Sequence, residues 1–140
     1  MKIDIVCNTE DEILFRNIEA NSRRDLEWIT EVPAHDGHAV IVGGGPSLDG
    51  TLDLIRWRQS LGQKVFALNG AADHLARNGI YADYQVILDA RPDTAWLVSN
   101  KVKCHLFASQ CDKQETNSSF LSIKSNGTTT APQAKPAKYE

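Results

Sequence analysis

Three consecutive glycines, Gly43-Gly44-Gly45, separate a short β-branched run from a helical pattern, and that junction restricts the fold more than any other part of the chain. Ala39 to Val42 is too short for a helix and right for a buried strand. Beyond the glycines, Leu48, Leu52 and Ile55 recur on one helical face, with Leu54, Trp57 and Leu61 expected to widen it. Glycines at such a junction allow positive φ and leave no side chain between backbone and ligand. Pro46 suits a turn or a first helical position, and Ser47 or Asp49 can cap the helix. A strand, a glycine turn and a helix N-terminus with unpaired N–H donors form an anion site, and phosphate is the usual anion. The alternative is a tight strand-to-helix turn that binds nothing.

The turn differs from both familiar phosphate motifs. Gly43 and Gly45 fit a G-x-G-x-x-G pattern, but Leu48 stands where the third glycine belongs. Gly45 and Gly50-Thr51 have P-loop spacing, but the lysine that reaches the phosphates is missing, which argues against a P-loop phosphotransferase.

At 140 residues the chain is expected to hold one domain. A hydrophobic share of 41% is enough for a core, and a net charge of -3 gives no electrostatic footprint for nucleic acid. No apolar run approaches the roughly 20 residues of a membrane span. Met1-Lys2-Ile3-Asp4 has no signal-peptide architecture. Cys7, Cys104 and Cys111 are odd in number and widely spaced, so they read as reduced thiols of a cytoplasmic protein.

Taken in order, Ile3 to Cys7 reads as a short strand. Asn8 and Thr9 offer a cap for a helix running to about Glu19, and a second helical stretch is expected from Asn21 or Ser22 to Ile29. Residues 1–38 are thus a mainly helical lead-in to a Rossmann-like core at 39–111. In that core, strands at Lys64–Leu68, Tyr84–Leu88 and Lys103–Ala108 follow the glycine strand. A helix from about Ala71 to Asn78 and another from Asp93 to about Ser99, with Trp96 and Leu97 inward, lie between them. This alternation predicts an α/β fold with a mostly parallel sheet and flanking helices. Residues 112–140 are polar, small or proline-containing apart from Phe120-Leu121-Ser122-Ile123, and read as a disordered tail.

In such a sheet, ligands sit beyond the carboxyl ends of the strands. Three of those ends carry polar groups: the Gly43–Ser47 turn, Asn69 and Asp89. Asn69 is suited to a base, ribose or phosphate, or to capping the helix from Ala71. Asp89 is suited to Mg²⁺, which takes carboxylates together with substrate phosphates, or to a ribose hydroxyl, or to a plain turn. Arg91 can meet a phosphate bidentately or lie on the surface. His35, His38, His74 and His105 show no metal spacing, and Ser47 lacks the flanks of a nucleophile elbow.

The stretches Val40–Leu48 (VIVGGGPSL), Val65–Leu75 (VFALNGAADHL) and Gly79–Asp89 (GIYADYQVILD) resemble the MptE-like group, also called domain of unknown function 115, which contains the archaeal 6-hydroxymethylpterin diphosphokinase. Asp83 matches the acid of that group's Gly-Ile-x-Pro-Asp segment, with Ala82 in place of the proline. Asn17, in Asn-Ile-Glu-Ala-Asn, is similar to the group's lead-in, and Val102–Gln110 to its next strand. The resemblance implies a Rossmann-like fold that binds a nucleotide or diphosphate on Gly43, Gly44, Gly45, Pro46, Ser47, Asn69 and Arg91. It also implies diphosphate transfer from ATP with Mg²⁺ at Asp89. The turn is also similar to that of bacterial sialyltransferases, which bind a CMP-sugar, and this makes a glycosyltransferase-like domain the alternative. Family domains continue with further strands where this chain changes composition near Asp112, which implies an incomplete domain. An interaction module that meets a partner chain or a second copy at an open sheet edge is the third expectation.

Overall fold

The structure, a computed structural model, describes residues 9–30, 33–102, 104–112 and 119–123. Five strands form one sheet: β1 (Ala39–Val42), β2 (Lys64–Leu68), β3 (Tyr84–Ile87), β4 (Cys104–Ala108) and β5 (Ser119–Ile123). Each is parallel to its neighbour, and the order across the sheet is the order along the chain. The helices are α1 (Asp11–Ser22), α2 (Leu52–Ser60) and α3 (Ala71–Arg77), with 3-10 turns at Asp49–Thr51 and Pro92–Leu97. This is the expected α/β architecture, with strand limits within a residue of the sequence reading.

Strand parity divides the sheet into two faces. The register aligns Val40 with Val65, Ala67 with Gln85, and Gln85 with His105, so these side chains share a face. Val42, Val65 and Ala67 are buried there against Leu48, Ile55 of α2, and Ala72 and Leu75 of α3. Ile87 and Phe107 extend the core towards Leu97 and Val98. Leu75 has no exposed surface, and burying such a side chain contributes about 1.5–3 kcal/mol. On the opposite face Ile41 is 73% exposed, and Phe66 and Tyr84 stack at 4.6 Å.

Glycine closes two connections as expected. Gly62 and Gly79, just past α2 and α3, have φ of 80° and 72°, a region that side chains disfavour. Asp83 then ties the start of β3 to β2. Its Oδ2 accepts the Val65 N–H at 2.9 Å, and Lys64 Nζ lies 2.9 Å from its Oδ1.

Several expectations fail. Residues 21–29 are not a second helix. α1 runs through Asn21 and Ser22, and from Arg24 to Thr30 the exposure alternates residue by residue, as in an extended chain. Glu10, not Asn8 or Thr9, precedes the first helical residue, and no side chain caps it. Leu54, Trp57 and Leu61 do not widen the buried face of α2, since all are more than half exposed. Trp96 points outward at 75% exposure, because the short Pro92–Leu97 turn is 3-10 and presents a different face from the α-helix expected. Ser119–Ile123, in the stretch expected to lack structure, pairs along β4. The rest of that tail and the strand expected at Ile3–Cys7 lie outside the described residues.

α1 is held by amides more than by oil. Its Leu14 and Ile18 are half-buried and Phe15 is exposed. Asn17 and Asn21, one turn apart, are buried instead. Asn17 Nδ2 donates to the carbonyls of Ala90 and Gln110, both at 3.1 Å. Asn21 Nδ2 donates to those of Ser109 and Cys111, at 3.0 and 2.8 Å. Asn17→Ala and Asn21→Ala should each cost about 1–3 kcal/mol in urea denaturation, since each strands buried carbonyls.

Burial pulls the Asp83 carboxyl upward, but the bonds from Val65 and Lys64 outweigh it and hold its pKa below the ordinary 3.8. Its contribution is therefore in full above about pH 4 and is lost as pH falls through the lower folded-state value. Asp83→Asn should flatten the decline of the urea midpoint between about pH 5 and 2.

Candidate functional site

The carboxyl ends of all five parallel strands lie at one edge of the sheet, and the expected polar residues gather there. After β1, Gly43 to Ser47 are exposed. Leu48 N–H donates to Gly45 C=O at 3.0 Å, which turns the chain into the 3-10 segment and α2. Neither helical segment has a side-chain cap, so Ser47 and Asp49 do not cap. Among the described residues, the N–H groups of Gly44, Gly45 and Ser47 donate to no backbone carbonyl. The turn therefore opens to solvent with free donors, as its sequence implies.

The conformational part of the glycine argument does not hold. None of Gly43, Gly44 and Gly45 has positive φ, and a Cβ built on any of them meets nothing within 4 Å. Their consequence is access: bare backbone along the rim of a cleft of about 770 Å³. Gly43–Pro46 and Asp49 line one side of that cleft, and Leu68, Asn69 and Gly70 lie between them and His74 and Arg77 of α3.

Asn69 is the strained residue of the site. Its φ of 47° puts it in the left-handed region, the one non-glycine residue there among those described. Its N–H donates to Val86 C=O at 2.9 Å, and its C=O accepts Gln85 Nε2 at 2.7 Å. The side chain does not cap α3, whose preceding residue is Gly70 with no side-chain cap. Its Oδ1 is buried without a partner in the described structure. Asn69 also lines a second, smaller cleft of about 240 Å³ with Thr9, Leu14, Asp89 and Gln110. It thus joins the glycine turn to the Asp89 side.

Asp89 and Arg91 hold each other. Arg91 Nη2 lies 2.8 Å from Asp89 Oδ2 and Nε 3.1 Å from Oδ1, which also accepts the Arg91 N–H at 3.1 Å. The guanidinium beside it keeps the Asp89 carboxyl below the usual carboxylate range, against the upward pull of burial. A cation at Asp89 would first have to displace that guanidinium. Among the described residues, no three His, Cys, Asp or Glu side chains gather as a metal cluster. The residues in this arrangement do not fit a resident Mg²⁺.

Behind the edge lies a buried polar bracket that sequence reading missed. Gln85, with no exposure, donates to the carbonyls of Asn69 and Leu97 at 2.7 and 2.6 Å, and its Oε1 accepts the Ser99 N–H at 2.9 Å. Ser99 Oγ bonds Asp73 of α3, and its C=O accepts His105 Nε2 at 3.0 Å. Burial lowers the His105 pKa from its ordinary 6.5, against the opposing pull of the Ser99 carbonyl. A glutamine in the middle of a buried parallel strand was the available signal. Cys111 is buried, its thiol pushed up to about 12 chiefly by burial, and it donates to Ile87 C=O. Such a thiol is inert, as is the half-buried Cys104, whose pKa burial also raises.

The sheet and its glycine edge define a Rossmann-like α/β domain. Within that class, a family model described as 6-hydroxymethylpterin diphosphokinase MptE-like matches residues 12–133, and the chain belongs to the MptE-like family. The match runs past Asp112 through β5 and the stretch first read as a featureless tail. No curated protein and no solved structure matches the chain. No helix among the described residues is long and apolar enough to cross a membrane.

If the left-handed φ of Asn69 carries strain, Asn69→Gly should fold at least as stably as wild type. Asn69→Ala should be less stable than Asn69→Gly by about 1–2 kcal/mol, as read by urea denaturation.

Proposed function

We propose that this chain binds a phosphate-bearing nucleotide at the carboxyl edge of its sheet, as the nucleotide-holding domain of a diphosphokinase-type transferase. The observation that carries this reading is the Gly43–Ser47 turn, with free N–H groups and bare backbone beside a cleft of nucleotide size. Family membership supports it, since the family description is that of a diphosphokinase. Backbone donors at a helix start are suited to phosphate oxygens and are already fixed before the ligand arrives. The buried Asn69 Oδ1, which lacks a donor in the described structure, supports the reading, since a ligand hydroxyl or amine would supply one. Positioning and charge neutralisation then do what a phosphoryl transfer requires of the protein.

A second reading, a non-catalytic interaction module, draws on the edge of β1 that no strand among the described residues pairs with. That edge is short, uncharged and without proline, beside the exposed Ile41, Leu54 and Trp57.

Thermal-shift titrations with ATP, CMP and UDP-glucose, each with and without Mg²⁺, test the first reading. ATP is expected to raise the melting temperature most; preference for UDP-glucose would indicate a nucleotide-sugar enzyme. Gly45→Val should abolish the shift while circular dichroism stays native, because the valine occludes the turn without left-handed strain. Undiminished ATP binding by folded Gly45→Val would remove the turn from the site. No shift with any nucleotide, together with self-association in sedimentation, would establish the module reading instead.

A further inference from the structure

The cleft has a second wall, on α3, to which neither sequence reading nor family membership gives a role. His74 and Arg77 stand there three residues apart and face the glycine turn across the space lined by Asn69. His74 Nε2 lies 2.7 Å from Asp49 Oδ1, so the wall is tied to the segment that follows the turn. Arg77 is different. It is exposed, and among the described residues it has no hydrogen-bond or ion-pair partner. Other arginines are engaged: Arg91 by Asp89, and Arg56 by Asp53 and the Asn78 carbonyl.

We propose that Arg77 is the specificity-determining residue of the cleft, holding a second phosphate of a ligand whose first phosphate lies on the Gly43–Ser47 turn. The proposal rests on the reading that the turn holds a phosphate, and it narrows the ligand to one with two linked anionic groups. The physical argument has three parts. A guanidinium presents several donors in a planar fork, carries a full charge and binds phosphate oxygens bidentately, whereas the backbone N–H groups of a turn are fixed in place and uncharged. A cleft with an uncharged donor wall and a cationic wall therefore separates monophosphates from diphosphates by what reaches the far side. Second, the Asp49–His74 contact links the two walls before any ligand binds. Third, the Asp49 carboxylate is occupied by His74 and leaves Arg77 as the open cation of the wall.

The test compares AMP with ADP by isothermal titration without added metal, on the full chain. Wild type should bind ADP about tenfold more tightly than AMP. Arg77→Gln should lose that preference, weakening ADP about tenfold while AMP changes by less than twofold, and Arg77→Lys should keep part of it. Arg23→Gln, an exposed residue just past the end of α1, controls for a general loss of positive charge and should leave both affinities unchanged. Gly45→Val should lose both ligands, which separates the two claims. If Gly45→Val abolishes binding but Arg77→Gln keeps the wild-type ADP to AMP ratio, the role of Arg77 is refuted and the turn stands. If wild type prefers neither nucleotide, Arg77 reads no second phosphate. If it binds neither, the phosphate reading of the turn falls and this inference with it.

Discussion

A parallel sheet brings all its strand ends to one edge, and the backbone carbonyls of the loops there must be satisfied without a neighbouring strand. This chain meets that constraint with carboxamides. Asn17 and Asn21 reach from α1 to the carbonyls of Ala90, Ser109, Gln110 and Cys111. Gln85 reaches from inside the sheet to those of Asn69 and Leu97. An amide can donate two bonds and accept others while carrying no charge, so it can be buried without the desolvation cost of an ion. Gln110, just past β4, donates to the carbonyl of Leu88. Asn69 is the fifth carboxamide described at this edge and differs from the others. Its backbone is fully used while its side-chain oxygen lacks a partner. Four amides hold the edge together, and the fifth keeps a side-chain oxygen with no donor in the described structure.

Much of the fold was legible because its signals were local. Ala39–Val42 and Lys64–Leu68 are strands within the limits read from β-branched runs, and Gly62 and Gly79 sit in the left-handed conformation expected past a helix end. What failed was long-range. Leu54, Trp57 and Leu61 continue an apolar pattern that stays exposed, since among the described residues β1 has a neighbouring strand on one side only. Leu26, Trp28 and Ile29 fit a helical face in composition, but the chain after Ser22 is extended, and alternation replaces the helical period. Ser119–Ile123 looked isolated in a polar tail, and only its pairing with β4 makes it a strand. The lead-in run Asn17–Asn21 had a family likeness, but its purpose depends on carbonyls some 70 to 90 residues away in sequence.

For the site, the sequence named the right strand ends but not their relations. Asp89 and Arg91 looked like separate ligands for a cation and a phosphate; two residues apart, they are close enough to pair, and they do. His74 was set aside for want of metal partners, although its partner is a carboxylate beside the turn. A helix position shows which face a side chain is on, not which cleft that face borders.

The glycine turn also separates two pressures that most positions in a protein combine. At Val65 or Leu75, a damaging substitution is removed because the chain no longer folds, and any role beyond folding is hidden behind that. At Gly43, Gly44 and Gly45 no left-handed angle is imposed and a methyl group meets empty space, so alanine or serine would pass the folding requirement unnoticed. Random drift should erode such glycines quickly. A library of folded variants, sorted first for solubility and only then for ligand retention, would therefore tell apart residues that build this molecule from residues that it exists to expose.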